Sequence, residues 1–153
     1  MLYRTHLAFG LLVGLVMLPY ISSNKYVFLL LVLLGSLVPD LDSPKSKLSN
    51  KIPIIPQIIS VFAQHRGLFH SIWFPLILFI THLYFLESII LLAISIGYTS
   101  HLIIDSLTKQ GINFLHPIAD LKLSGFVETG TFLETIILII IVGLDVLLIT
   151  NVL

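Results

Sequence analysis

Residues 88–107, SIILLAISIGYTSHLIIDSL, decide how this chain is read. The run is almost wholly apolar, and its one histidine, His101, and one carboxylate, Asp105, both fall near its end. A helix of this length, at 1.5 Å per residue, reaches about 30 Å, which matches the hydrocarbon core of a bilayer. His101 and Asp105 stand at i and i+4, so they share one face of that helix. The stretch predicts a membrane-crossing helix that presents an imidazole and a carboxylate together, close to one membrane surface.

The rest of the chain suits the same solvent. Of its 153 residues 57% are hydrophobic and only 10% are charged, with a mean hydropathy of +1.07. An average soluble domain carries about 25% charged residues, so this chain has too little polar surface to cover a water-soluble globule. Its length fits a single membrane-embedded domain, residues 1–153. The formal net charge of zero gives no reason to expect a nucleic-acid partner. The absence of cysteine excludes disulfides and thiolate ligands, so a metal would depend on His, Asp or Glu.

Working outward from residues 88–107, four further segments are apolar enough to be read as spans: 5–21, 24–38, 70–86 and 132–153. The expected fold is therefore an all-α integral membrane protein of about five transmembrane helices. Residues 5–21 lack a small-residue cleavage pattern, and their single preceding basic residue, Arg4, is a weak targeting signal. They are read as the first helix rather than a signal peptide. Ser22, Ser23 and Asn24 punctuate the first short connection, Glu87 and Ser88 the other. Thr131 and Glu134 have the spacing of a capping box for the last helix.

The two long connections, 39–69 and 108–131, fall on the same side as the N-terminus. That side holds Arg4, Lys45, Lys47, Lys51, Arg66, Lys109 and Lys122, and only Lys25 falls on the other. The positive-inside rule then puts the N-terminus and both loops in the cytoplasm, in an inner membrane. Within the first loop, residues 52–62 are apolar but broken by Pro53 and Pro56, which suggests a short interfacial or re-entrant segment. The second loop contains Gly111, Gly125 and Gly130 and is expected to form a small cap. The second helix is short: residues 26–38 cover only about 20 Å before Pro39 stops them. The carboxylates just beyond it would lie below the membrane surface, where they need a cation or a wet cavity.

The chemistry gathers in four places: His6; Asp40 and Asp42 after the second helix; His65, Arg66 and His70 before the third; and His101 with Asp105 in the fourth. Five spans place all of these at one depth. Asp40 and Asp42 flank one residue, so a turning backbone can aim both carboxylates the same way. Gly67 allows a tight turn between His65 and His70. Imidazoles and carboxylates without thiols suit zinc, manganese or iron, as one ion or as two ions bridged by a carboxylate. Asp40, Asp42, His65, His70, His101 and Asp105 are the candidate ligands, with His6 a ligand or a partner of one. Arg66 is suited to grip a phosphate or simply to anchor in headgroups. His116 and Asp120 lie in the second loop, where a solvated position explains them as well as a role near the site. His82 and Asp145 fall in the outer half of the membrane, where they could pair with each other. Glu128 and Glu134 are read as loop and cap residues.

These motifs resemble the YdjM-like family of small inner-membrane, metal-dependent hydrolases described as LexA-regulated. The likeness rests on Thr5-His6, P-D-x-D-S at residues 39–43, H-R-G-x-x-H-S at 65–71, G-Y-x-S-H-x-x-x-D-x-x-T at 97–108, then Gly111 and His116-Pro117. It covers roughly residues 1–120 and implies a metal-dependent hydrolase with the metal at Asp40, Asp42, His65, His70, His101 and Asp105. The leading expectation is hydrolysis of a phosphoester in a lipid or lipid-linked substrate, with Arg66 offsetting phosphoryl charge and Asp42 or Asp105 as general base or bridging ligand. Amide or peptide hydrolysis is the weaker enzymatic reading, since there is no H-E-x-x-H and no Glu in the cluster. A metal or proton transporter is the non-enzymatic alternative.

Overall fold

A computed structural model describes residues 1–42 and 69–152, with the side chains of Leu41 and Asp42 outside that description. The chain is mostly helical. Helix α1 spans Tyr3–Met17 and runs on through a 3-10 turn at Leu18–Tyr20; α2 spans Lys25–Gly35, followed by a 3-10 turn at Val38–Asp42. Helix α3, Trp73–Thr81, widens into a π turn at His82–Leu86; α4 is Ile89–Ser106 and α5 is Phe132–Val152. Two of these, α4 and α5, are long and apolar enough to cross a membrane by length and composition. The helix positions otherwise follow the expected segments, and α2 is as short as its sequence suggests, at 11 residues.

Local chemistry explains the boundaries. Asn24 caps α2 by accepting from the backbone N–H groups of Tyr26 and Val27. Glu87 takes a left-handed conformation, φ 42°, to close the turn from α3 into α4. The second loop is more ordered than a sequence without periodicity suggests. Ile112–Asn113 and Lys122–Leu123 pair as antiparallel strands β1 and β2, and Gly111, at φ +66°, has no room for a side chain against the Leu123 carbonyl. This hairpin ties to the start of α3 through Ile72 N–H to the Phe114 carbonyl and Trp73 Nε1 to the Leu115 carbonyl.

Helix α4 is the hub, packing against α1, α2 and α3, while α5 packs along α1. The closest approach is between α2 and α4. A Cβ on Gly97 would lie 2.0 Å from the Val32 carbonyl oxygen, and one on Gly35 would lie 2.6 Å from that of Ile94. Small residues at such a crossing let two backbones touch, the usual device where lipid is the solvent and hydrophobic burial cannot drive helix association. The outward faces carry exposed Leu30, Leu34, Ile77, Ile139, Ile140 and Leu147. Such a surface is suited to acyl chains rather than water.

Gly97→Val should break this crossing. Overpacking a tight contact costs typically about 1–3 kcal/mol, and here the added atom meets backbone, which cannot rotate away. Gly143, whose Cβ would meet nothing within 4 Å, is the control: Gly143→Ala should be neutral or stabilising, by up to about 1 kcal/mol. Thermal unfolding in detergent distinguishes the two.

Candidate metal centre

The α2–α4 crossing sets the position of His101. Ser36 follows α2 directly, and its carbonyl is one of the acceptors that a helix C-terminus leaves unpaired. Pro39 has no N–H with which to close a 3-10 bond back to it, and the Asp40 N–H goes instead to Leu37. The free carbonyl accepts from His101 Nδ1 at 2.8 Å. A carbonyl can only accept, so Nδ1 carries the hydrogen, and in the neutral ring Nε2 then presents its lone pair. That side chain is completely buried.

What Nε2 faces is the central observation. Asp105 Oδ2 lies 3.4 Å away and Asp40 Oδ1 3.9 Å away. Three acceptor atoms thus converge with no hydrogen bond to Nε2 among the described residues. The His6 ring stacks on that of His101, with centroids 3.9 Å apart and planes at 10°, and its Nε2 is 3.3 Å from Asp105 Oδ1. The N-terminal amine of Met1 lies 2.6 Å from the same oxygen. His70 meets His101 edge-on at 5.6 Å between centroids. Its position follows from Tyr98, whose hydroxyl donates to the Phe69 carbonyl and whose ring stacks on Phe74.

This donor set fits a divalent cation. His6, Asp40 and His101 each bring one ligand atom to within 4.8 Å of the others, and so do His70, His101 and Asp105. Both sets contain His101, and the donor types, imidazole and carboxylate, suit zinc or manganese. A carbonyl holding the distal ring nitrogen is the usual way to orient a ligating imidazole.

The structure therefore brings together His6, Asp40, His70, His101 and Asp105. His65, Arg66 and residues 52–62 lie outside the described residues, and so does the side chain of Asp42. His116 and Asp120 do not join the cluster: Asp120 accepts from Asn113 Nδ2 at 3.0 Å and thereby braces the hairpin. His82 and Asp145 form no ion pair; His82 Nδ1 and Asp145 Oδ1 are each buried without a hydrogen-bond partner.

Glu134 does more than the capping-box spacing implies. Its Oε2 accepts from Gly130 N–H rather than from Thr131, whose hydroxyl goes to the Glu128 carbonyl. Its Oε1 accepts from Leu2 N–H at 2.7 Å and Thr5 Oγ1 at 2.8 Å. The carboxylate, 2% exposed, caps the N-terminus of α1, holds the Gly130 turn before α5, and so fixes the turn that carries His6. The capping box expected from Thr131 and Glu134 does not form, because Thr131 bonds the Glu128 carbonyl; the bonds of Glu134 to α1, 129 or more residues away, had no local signal.

An apolar bundle with His and Asp gathered at one end defines a helical membrane protein with a candidate metal centre. The chain belongs to the YdjM inner membrane protein family, matching it over residues 1–152. It is 38% identical over 106 residues to "Uncharacterized protein YvsG" of Bacillus subtilis, covering 68% of this chain and 66% of that one. It is 33% identical over 91 residues to "Inner membrane protein YdjM" of Escherichia coli, covering 56% of this chain and 46% of that one. The chain thus spans less than two thirds of the length of either relative. No solved structure matches it.

Glu134→Ala should strand the Leu2 N–H and Thr5 hydroxyl in a buried position. With hydrogen bonds to a charged group worth about 1.5–3 kcal/mol each, a loss of at least about 2 kcal/mol is expected. Glu134→Gln should lose less. Both can be read as a shift of the unfolding midpoint in detergent.

Proposed function

We propose that this protein is a membrane-embedded, metal-dependent hydrolase that cleaves a phosphoester in a lipid or lipid-linked substrate. The observation that carries the reading is the convergence of the His101 Nε2 lone pair with the carboxylates of Asp40 and Asp105, beside the stacked His6. The Met1 ammonium compensates Asp105, but Asp40 has no cationic partner nearer than His101 Nε2 at 3.9 Å among the described residues, and an added cation would meet that need.

The proposed topology has all five helices crossing the membrane. It is supported by the alternation of their directions: His6 opens α1, Asp40 follows α2, His70 precedes α3, His101 and Asp105 close α4, and Glu134 opens α5 against Leu2. The charge distribution of the loops puts this end on the cytoplasmic side of the inner membrane.

His6, Asp40, His70, His101 and Asp105 would hold one or two ions, zinc or manganese by preference and iron as a third choice, with His65 and Asp42 as further ligands from the sequence. A divalent ion there supplies Lewis acidity toward a phosphoryl oxygen. Asp105 or Asp42 takes the proton from the attacking water, and Arg66 offsets charge on the phosphoryl oxygens. The Ser36 carbonyl keeps the His101 ring fixed, and the apolar walls exclude bulk water. A lipid is the favoured substrate because the cluster sits at the helix ends of an apolar bundle, where a soluble phosphate gains nothing from the surroundings.

A transport reading draws on Asp145, which is 4% exposed, with Oδ1 unpartnered, and deeper in α5 than the cluster. Flux in proteoliposomes that is lost in Asp145→Asn would favour it.

Elemental analysis of detergent-purified protein tests the leading proposal first. About one or two equivalents of a divalent metal are expected, lost in both His101→Ala and Asp40→Ala. Phosphate release from a panel of phospholipids should require that metal. Bound metal with no metal-dependent turnover across several headgroups would sink the phosphoesterase assignment.

A further inference from the structure

Helices α1 and α3 both pack on α4, and between them they leave a cavity of about 330 Å³ over its surface. That volume falls within the range of small-molecule sites, about 300–1,000 Å³. At one end it is lined by Ile72, two residues beyond His70, and by Ile103, which lies between His101 and Asp105. At the other it is lined by Val13, Met17 and Phe79, and it is a groove open along its side. Along α4 it runs from Ile103 to Ser95, about 12 Å at 1.5 Å per residue. One end therefore lies at the depth of the candidate metal centre, on the neighbouring side of α4, and on α1 the lining Val13 and Met17 continue the helix face that carries His6.

Three hydroxyl residues face this cavity, Ser95, Thr99 and Ser100. Each has spent its donor on its own helix: Ser95 on the Leu92 carbonyl at 2.8 Å, Thr99 on Ser95 at 2.8 Å and Ser100 on Gly97 at 2.6 Å. A polar occupant would find no free hydroxyl hydrogen among the described residues that line it. The occupant that fits is a hydrocarbon chain.

We propose that this cavity receives one acyl chain of the substrate while its phosphate lies at His6, Asp40, His101 and Asp105. The inference rests on the phosphoester reading above and narrows it to lipids with at least one extended chain. Because bilayer lipid is as apolar as the cavity walls, entry of the chain contributes little affinity. Its effect is positional: a chain confined among three helices fixes where its headgroup sits relative to the metal centre.

The test is photo-crosslinking of the full chain in phosphatidylcholine vesicles. The probe is a phosphatidic acid with a diazirine midway along one chain, and the labelled sites are read by mass spectrometry. Labelling should concentrate on Val13, Phe79 and Thr99 rather than on the outward Ile139 and Ile140. Excess unlabelled phosphatidic acid should displace it, but excess phosphatidylcholine should not. Thr99→Trp, which fills the cavity, should cut labelling at Val13 and Phe79 severalfold while leaving metal content unchanged. Even labelling of cavity and outer faces, or equal displacement by both lipids, would overturn the proposal. Phosphate release, measured on the same samples, separates the two readings. Selective labelling without turnover would leave the chain site standing and remove the hydrolase. Metal-dependent turnover with even labelling would do the reverse.

Discussion

The structure depends on the contact between the backbones of α2 and α4. Gly97 against Val32 and Gly35 against Ile94 leave no room for a Cβ. That closeness is what puts the Ser36 carbonyl within 2.8 Å of His101 Nδ1. A methyl group's width between the helices would leave a buried carbonyl unpaired and a buried imidazole free to turn. The contact thus has two consequences at once. It supplies close packing where lipid offers no hydrophobic drive, and it selects the tautomer of the ring at the centre of the cluster.

The neighbouring elements are held by bonds of the same kind, in which a side chain of one helix satisfies the open end of another. Glu134 on α5 takes the Leu2 N–H and Thr5 hydroxyl and so fixes the turn of α1 that carries His6. Tyr98 on α4 donates to the Phe69 carbonyl just before α3, which holds His70 near His101. Helix termini leave unpaired groups that are costly away from water. In each case the pairing that meets this need also positions a residue of the cluster.

Much of this was legible from the sequence, and what was not has physical reasons. The apolar segments set the helix positions to within a few residues, and the shortness of α2 followed from Pro39. The gathering of His6, Asp40, His70, His101 and Asp105 followed from topology, because helices that alternate in direction bring alternate ends together. The Ser36 carbonyl had no signal, since every residue has a carbonyl and only the three-dimensional crossing makes this one available. The role of Glu134 on α1 was hidden for a similar reason: its T-x-x-E spacing suggested a local capping box that the structure does not form. The hairpin at residues 111–125 was missed because two-residue strands carry no period. Its evidence lay in Gly111 and Gly125, whose backbones approach Leu123 and Leu107 too closely for any side chain.

The stacking of His6 on His101 bears on which cation the cluster suits. Protons alone could relieve the repulsion between the lone pairs and the carboxylates, but protonating both rings would set two like charges face to face at 3.9 Å. In a buried, low-dielectric setting that arrangement is costly. A divalent ion held by His6, Asp40 and His101, or by His70, His101 and Asp105, would meet the same demand without charging either ring. The 3.3 and 3.4 Å contacts run from the two rings to different oxygens of Asp105, so this one carboxylate faces both imidazoles. The stacked rings thus disfavour a doubly protonated pair, which is the physical ground on which the proposed divalent cation rests.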